Sequence, residues 1–585
     1  MDEKLSGKLD NKSGVATSVF LWSPLPTKKK LDFTKTEVQN KKNDKNTNSE
    51  PYYPNCEFQI WLRSCEKEII KPLEGKIIGS IPSWLNGSLL RNGPGSLKAG
   101  RDEFKHLFDS SALIHRFAIK NGNVTYQCRF LQSEVYKKIW MANRIVVTEF
   151  GTKGIPDPCH SIFQRITTMF SLKSGMSDNA MISVYPFGDE IYALNEFPFI
   201  HKLDGETLDT LKRVDLTESV SIVNHTSHPH VMEDSSVYNI GMAMYASGPY
   251  QCVIYFPKKD EATNTSMFEK AKIVASIPAR WPLHPSYIHT FGITENYFVI
   301  MEQPLSISLP DLMAVRFNNE PLAGAFKWYG DEYTQISVIS RKTGLLERRF
   351  QAETFFYMHI INQYENSDHV ILDVCAYRDP SMLDCMYVET MRNMQNNPDY
   401  AKMFRGRPIR FVLPMNPLPQ NVSRAENLIT LENTKARAKY LASGEIHVQA
   451  EMLCNLGCET PRIHYEKYLG KKYRYFYAIS SDVDAENPGT IIKVDVETRT
   501  CKTWQQKNCF PGEPIFVPSP NSQFEDDGII LSVMVWGYED TNHVGLLILD
   551  AHSFQEMGRA EFKTPSPVPK CLHGWFFPNK TTAFC

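Results

Sequence analysis

From residue 57 onward, short β-branched and aromatic runs alternate with Gly, Asn, Asp and Pro, at spacings that suit strands rather than helices. The clearest unit is IHRFAIK, then Asn-Gly-Asn at 121 to 123, then VTYQCRF. It predicts two strands joined by an Asn-Gly turn, whose left-handed backbone a tight hairpin requires. MISVYPF, Gly188-Asp189 and EIYALN predict a second hairpin. A weak repeat recurs as KLDGETLDTLKRVDL from 202, VISRKTGLLERRFQA from 338, KVDVETRTCKTWQQK from 493 and ILDAHSFQEMGRAEF from 548. Each copy reads as strand, polar turn, strand. Such recurrence over several hundred residues predicts an all-β propeller, in which each sheet buries its faces against the neighbouring blades. Helical periodicity is confined to HSIFQRITTMFSL at 160 to 172 and PDYAKMF at 398 to 404.

Residues 1 to about 50 break this texture. They are polar and low in complexity, with KKK at 28 to 30 and KKNDKNTNS at 41 to 49, so they cannot bury enough apolar surface to offset the entropy of ordering. The expectation is a disordered basic and polar tail over 1–50 and a single propeller domain over 51–585. With 42% hydrophobic residues in 585, the chain can fill so large a core.

Charge and cysteine content narrow the function classes. Lys and Arg total 64 against 66 Asp and Glu, with no basic stripe beyond the tail, which points away from a nucleic-acid partner. The 13 cysteines form no CxxC pair and read as thiols in a reducing compartment. Sequons occur at Asn86, Asn224 and Asn421, but the chain opens on charged residues rather than a signal sequence. No apolar run reaches the ~18 residues of a spanning helix, so the expectation is a cytoplasmic protein, soluble or peripheral to a membrane. Nothing in the composition calls for an obligate protein partner.

The candidate chemistry is histidine. NHTSHPHVMEDSSVYNIG places His225, His228 and His230 within six positions, and three further histidines, His289, His359 and His573, stand alone in apolar strand-like segments. Widely spaced histidines from different blades can converge only at a propeller axis. A site of four imidazoles, with no thiolate or carboxylate bound directly, suits a redox metal such as iron(II) better than structural zinc. Its 2+ charge calls for carboxylates behind the rings, and Glu196, Glu459 and Glu513, acids in apolar surroundings, are the candidates.

WLNGSLLRNGPG, HLFDSSALIHRF, VVTEFGT with PDPCHSIF, SHPH, SYIHTFG, FYMHIINQYE, GEPIFVPSP with EDDGIILSVM, and PVPKCLHGWF together resemble the carotenoid cleavage oxygenases, over about residues 57 to 577. That family includes the vertebrate retinal pigment epithelium isomerohydrolase. IVNHTSHPH, MLCNLGCETPRI and YRYFYAISSDVDAENPGT are most similar to its insect isomerising members. The resemblance implies a seven-bladed propeller with a cap of loops and helices over an axial iron(II) held by His228, His289, His359 and His573. It implies that Glu196, Glu459 and Glu513 support His289, His359 and His573 respectively, and that His225 and His230 are structural. It further implies cleavage of the central 15,15′ double bond of a carotenoid by dioxygen, giving one 11-cis and one all-trans retinal or 3-hydroxyretinal for visual chromophore.

A polyene substrate requires a long apolar tunnel, for whose wall Phe150 and Tyr287 are candidates, with core packing as the alternative. Such a substrate also favours entry from a membrane. Ile162, Phe163, Ile166, Met169 and Phe170 share one helical face, with Leu172 nearby, and would dip into a headgroup layer or else face the core. Cys159 is an acylation candidate by resemblance alone. Three other readings stay open: a carotenoid dioxygenase without isomerisation, a retinyl ester isomerohydrolase, and a carotenoid-binding propeller without activity.

Overall fold

The four repeat copies fold as antiparallel hairpins, each in a different sheet. Their turns share one construction. Leu208, Gly344, Arg499 and Phe554 take left-handed backbone (φ 62, 71, 61 and 64°). Each returns its N–H to the carbonyl four residues back, at Asp204, Ser340, Asp495 and Asp550 (3.0, 2.8, 2.9 and 2.8 Å). The side chains of those same four residues accept a further N–H inside the turn, from Thr207, Thr343, Thr498 and Ser553. This local bonding offsets the left-handed strain, so only one copy needs glycine. The Asn-Gly turn behaves as expected, with Asn121 and Gly122 at φ 51 and 77° between strands Ser111–Lys120 and Asn123–Phe130.

This computed structural model describes residues 50–156, 176–259, 265–415, 426–538 and 540–579. Seven sheets of four to six strands form the seven blades of a propeller. The core lies between blades rather than within them: Phe117 and Tyr126 of one blade meet Leu531, Leu546 and Phe562 of its neighbour. Each such fully buried side chain contributes about 1.5–3 kcal/mol. Chain ends close the ring twice. Gly574–Pro578 pairs with Gly87–Ser96, and Lys76–Gly79 pairs with Glu556–Lys563. Gly574 is obligatory there, because a Cβ would lie 2.1 Å from the Leu90 carbonyl oxygen.

Two nine-residue helices depart from the expectation that helices are confined to 160–172 and 398–404. Glu134–Ala142 is capped by the Ser133 hydroxyl, and Leu309–Phe317 by that of Ser308 with Pro310 in its first turn. Both caps are local signals, yet each helix is too short for its periodicity to stand out. The 398–404 stretch forms the short helix Tyr400–Met403. The helix expected over 160–172, with Ile162, Phe163, Ile166, Met169 and Phe170, and Cys159 before it lie outside the described residues, as does the expected tail up to residue 49.

Candidate metal centre

The inner edges of the blades carry the site, and they do so where strand pairing is interrupted. His228 sits in a gap between Asn224–His225 and His230–Val231, both paired to Val237–Tyr245. Glu513 sits in a like gap between Cys509–Pro511 and Ile515–Pro518. His359 lies within Phe356–Asn366 where the register shifts between Tyr357, Ile360 and Asn362, and Glu459 begins another shifted pairing. His573 directly precedes the strand Gly574–Pro578, His289 stands three residues before Gly292–Ile293, and Glu196 follows Glu190–Leu194. Breaks and bulges free a side chain from the alternation of a regular strand and re-aim it, here toward the axis. All seven blades contribute one of these seven residues.

Four imidazoles converge. Ring centroids of His228 lie 4.6, 5.0 and 4.6 Å from those of His289, His359 and His573, and His359 lies 5.1 and 5.0 Å from His289 and His573. Ligand atoms of His228, His359 and His573 all fall within 4.8 Å of one another. Outer nitrogens are committed: Nδ1–H of His289 donates to Glu196 Oε1 (2.5 Å), of His359 to Glu459 Oε2 (2.5 Å) and of His573 to Glu513 Oε1 (2.9 Å). Among the described residues no carboxylate bonds to His228; its Nδ1 lies 3.5 Å from the Tyr185 hydroxyl. These bonds leave the Nε2 lone pairs facing inward. Nε2 of His228 and of His359 are buried without any partner among the described residues. Orphaned, convergent nitrogen acceptors are what a divalent metal satisfies, so the donor set fits one.

Burial and mutual repulsion push His228 far below the usual imidazole range, and burial lowers His573 to about 4. Both rings are therefore neutral and free to ligate at neutral pH. Burial opposes ionisation of Glu513, but the nearby charges of Arg462 and Arg91 and the hydrogen bond from His573 outweigh it and hold the carboxyl well below the ordinary range. Arg91 Nη1 lies 2.6 Å and Arg462 Nε 2.8 Å from its oxygens. Glu459 is also lowered: burial raises it, while His359, the Thr460 N–H and the Tyr377 hydroxyl lower it more. Arg91, Arg462, Tyr377 and Tyr185 went unnoticed in the sequence. Arg91 in LLRNGPG and Arg462 in ETPRIH were visible as cations within apolar motifs.

A cavity of about 980 Å³ opens on the histidines, with His289, His359 and His573 in its wall. Phe150 and Tyr287 both line it, and Phe326 packs edge-to-face against each at 5.4 and 5.5 Å between ring centroids. Tyr287 has a second role, since its hydroxyl donates to Glu196 Oε1 at 2.7 Å. A separate pocket of about 70 Å³ meets His228, His359 and His573 beside Arg462 and Tyr185. His225 and His230 are structural: His225 Nδ1 is bonded to the Thr226 carbonyl (2.7 Å) and His230 Nε2 to that of Phe291 (2.8 Å).

Near the cavity, Glu149 and Asp109 are buried with no cationic partner among the described residues. Burial pushes Asp109 up to about 7, although the Thr152 hydroxyl (2.6 Å) and Gly151 N–H (3.1 Å) favour its charge. The folded protein therefore binds a proton that the unfolded chain releases above about 4. Stability should fall as pH rises from about 4 to about 7, by up to about 1.4 kcal/mol per pH unit from this group. Denaturant midpoints across that window should decline less steeply in Asp109→Asn. Equal slopes in both proteins would rule this out.

Comparison with known proteins places the chain. The family model for Retinal pigment epithelial membrane protein matches residues 62–578. The carotenoid isomerooxygenase of Galleria mellonella is 55% identical over 534 residues, covering 91% of this chain and 99% of that protein. The carotenoid isomerooxygenase of Drosophila melanogaster is 48% identical, covering 90% and 94%. The beta,beta-carotene 15,15'-dioxygenase of Gallus gallus is 36% identical, covering 88% and 97%. Among solved structures, a Synechocystis apocarotenoid oxygenase matches with a TM-score of 0.71 at 21% identity, over 90% of this chain and 100% of that one, and corroborates the fold. The propeller, the axial histidines and these matches over nearly the whole length together establish that the chain belongs to the retinal pigment epithelial membrane protein family of carotenoid oxygenases.

Proposed function

We propose that the protein is an iron(II)-dependent carotenoid isomerooxygenase, cleaving the central double bond of a carotenoid with dioxygen to give one 11-cis and one all-trans aldehyde. The observation that carries this reading is the ring of four imidazoles, with two unpartnered Nε2 atoms, facing a cavity of about 980 Å³ walled mainly by apolar groups. His228, His289, His359 and His573 would hold iron, and iron bound there supplies the dioxygen chemistry.

The protein's own part is placement. Glu196, Glu459 and Glu513 hold three rings by their outer N–H groups, so the inner lone pairs cannot turn away. Phe150, Phe326, Met358 and Tyr287 border the cavity and exclude water from the polyene. Once bond order along the polyene drops during reaction, rotation becomes easy, and the shape of the wall would select the cis form in one half. Both oxygen atoms leave in the two aldehydes.

Peripheral membrane association belongs to the same reading, because the substrate is insoluble in water. Met313 and Met244 both line the cavity and are 62% and 47% exposed, so the cavity reaches the surface among apolar side chains. Among the described residues no helix is long and apolar enough to cross a membrane.

Chromatography of products from zeaxanthin and β-carotene, each incubated with iron-loaded protein and oxygen, tests the reading. Equal amounts of two aldehydes of one chain length, one 11-cis and one all-trans, are expected. All-trans products alone would leave an oxygenase that does not isomerise, and unequal lengths would move the cut off centre. No cleavage would leave the isomerohydrolase and binding-protein readings.

A further inference from the structure

One part of the large cavity has a chemistry that the histidine ring does not use. Lys570 lines it beside Cys56, Glu57, Ile60, Trp61 and Phe510. The residue is only 8% exposed. Among the described residues its ammonium makes no hydrogen bond or ion pair, and the Trp61 ring lies 5.1 Å from Nζ. A lysine buried in apolar surroundings is ordinarily paired. Burial pushes this one down to about 8.

Lys570 also stands apart from the metal centre. Its N–H donates to the Ile60 carbonyl (3.2 Å), while the Leu572 N–H donates to the Asn92 carbonyl (2.8 Å), which runs the segment extended along Gly87–Ser96. Three extended residues put its Cα roughly 10 Å from that of His573. Phe510 lies a similar three residues before Glu513 on the same stretch of wall. A polyene centred on the histidines would carry its terminal ring toward such a place.

Resting on the carotenoid reading above, we propose that Lys570 is a specificity-determining residue that receives an oxygen substituent, hydroxyl or keto, on a terminal ring of the substrate. An ammonium has only donors, so it asks for an acceptor oxygen rather than another donor. A plain hydrocarbon ring in the same place strips water from the ammonium and returns nothing, which disfavours that ligand. An oxygenated ring completes the bond and lays its apolar face near Trp61. A lysine with only a packing role would behave differently: methionine, of similar length, would substitute for it with no change in ligand preference.

Carotenoid binding without oxygen separates the two cases. Zeaxanthin, hydroxylated on both rings, and β-carotene, hydroxylated on neither, are titrated in detergent micelles against anaerobic full-length protein, followed by quenching of tryptophan fluorescence. The wild type should favour zeaxanthin about tenfold or more, as sites that bond a hydroxyl disfavour analogues lacking it. Lys570→Met should bring the ratio of the two dissociation constants to within about threefold, and Lys570→Gln, which keeps a donor, should retain part of the preference. Thermal melting checks that both variants fold.

A carotenoid hydroxylated on one ring gives a second readout on turnover. Wild-type protein should release the hydroxylated aldehyde in a single geometry, because that ring is always seated at Lys570, and Lys570→Met should release it in both. A wild type without preference, or a methionine variant that keeps the full ratio, overturns the proposal. Because the titration needs no turnover, absence of cleavage alongside a Lys570-dependent preference would strike the isomerooxygenase reading alone.

Discussion

Metal content and product formation should collapse together in His359→Ala. His359 is within about 5 Å, ring to ring, of His228, His289 and His573, and one of its nitrogens is among the two orphaned at the centre. Alanine removes that nitrogen and also strands Glu459, whose shortest bond is to the ring (2.5 Å). The remaining three imidazoles face a divalent charge with one unneutralised acid behind them in the wrong place. Iron measured by atomic emission should fall from about one per chain to a small fraction, and aldehyde yield by more than about a hundredfold. Glu459→Gln should be milder, because the amide keeps the shape and loses only the charge: about ten- to a hundredfold in metal affinity or rate. Retention of one iron per chain in His359→Ala would place the metal elsewhere.

Arg91→Met should be the most damaging change to stability. Arg91 is fully buried, its Nη1 bonded to Glu513 Oε2 at 2.6 Å, its Nη2 to the Leu572 carbonyl and its Nε to Cys571 Sγ at 3.4 Å. It thereby ties the strand Gly87–Ser96 to the C-terminal segment that closes the propeller and carries His573. Methionine fills the space but leaves Arg462 as the remaining cation on Glu513, beside the neutral donors His573 and Gly574, against a deep burial penalty. Breaking a buried pair from one side costs about 3–5 kcal/mol, where replacing both partners with apolar residues can be neutral. Equilibrium denaturation should show a loss of that size, and Arg91→Met with Glu513→Met should recover part of it. A loss under about 1 kcal/mol in the single variant would mean that Arg462 suffices.

Strand texture was readable because each blade is built locally. The Asn-Gly turn at 121–122, the Gly188-Asp189 turn and the shared turn around Leu208, Gly344, Arg499 and Phe554 depend on neighbours within five residues, so a linear reading found these six hairpins. The short helices Glu134–Ala142 and Leu309–Phe317 escaped, although Ser133 and Ser308 announce both. Histidines in apolar runs were conspicuous as residue types. Nothing local distinguished His228 from His225 and His230, three residues before it and two after; that choice came from the family resemblance, while the structure commits a ring nitrogen of His225 and of His230 to backbone carbonyls and sets His228 beside His359 and His573.

By itself the sequence determined the fold class, the closing hairpins' turns and the pool of ligands and acids, because those follow from residue chemistry and short-range bonding. Only the tertiary structure decided which histidines meet, which acid stands behind which ring, and that His228 has Tyr185 where the others have carboxylates. It alone also joined Arg91 to Glu513 across 422 positions and set Lys570 in the wall of the same cavity as His289. The reason is physical: a propeller brings its inner strands together at an axis, and what meets there depends on blade order, strand breaks and ring closure rather than on spacing along the chain.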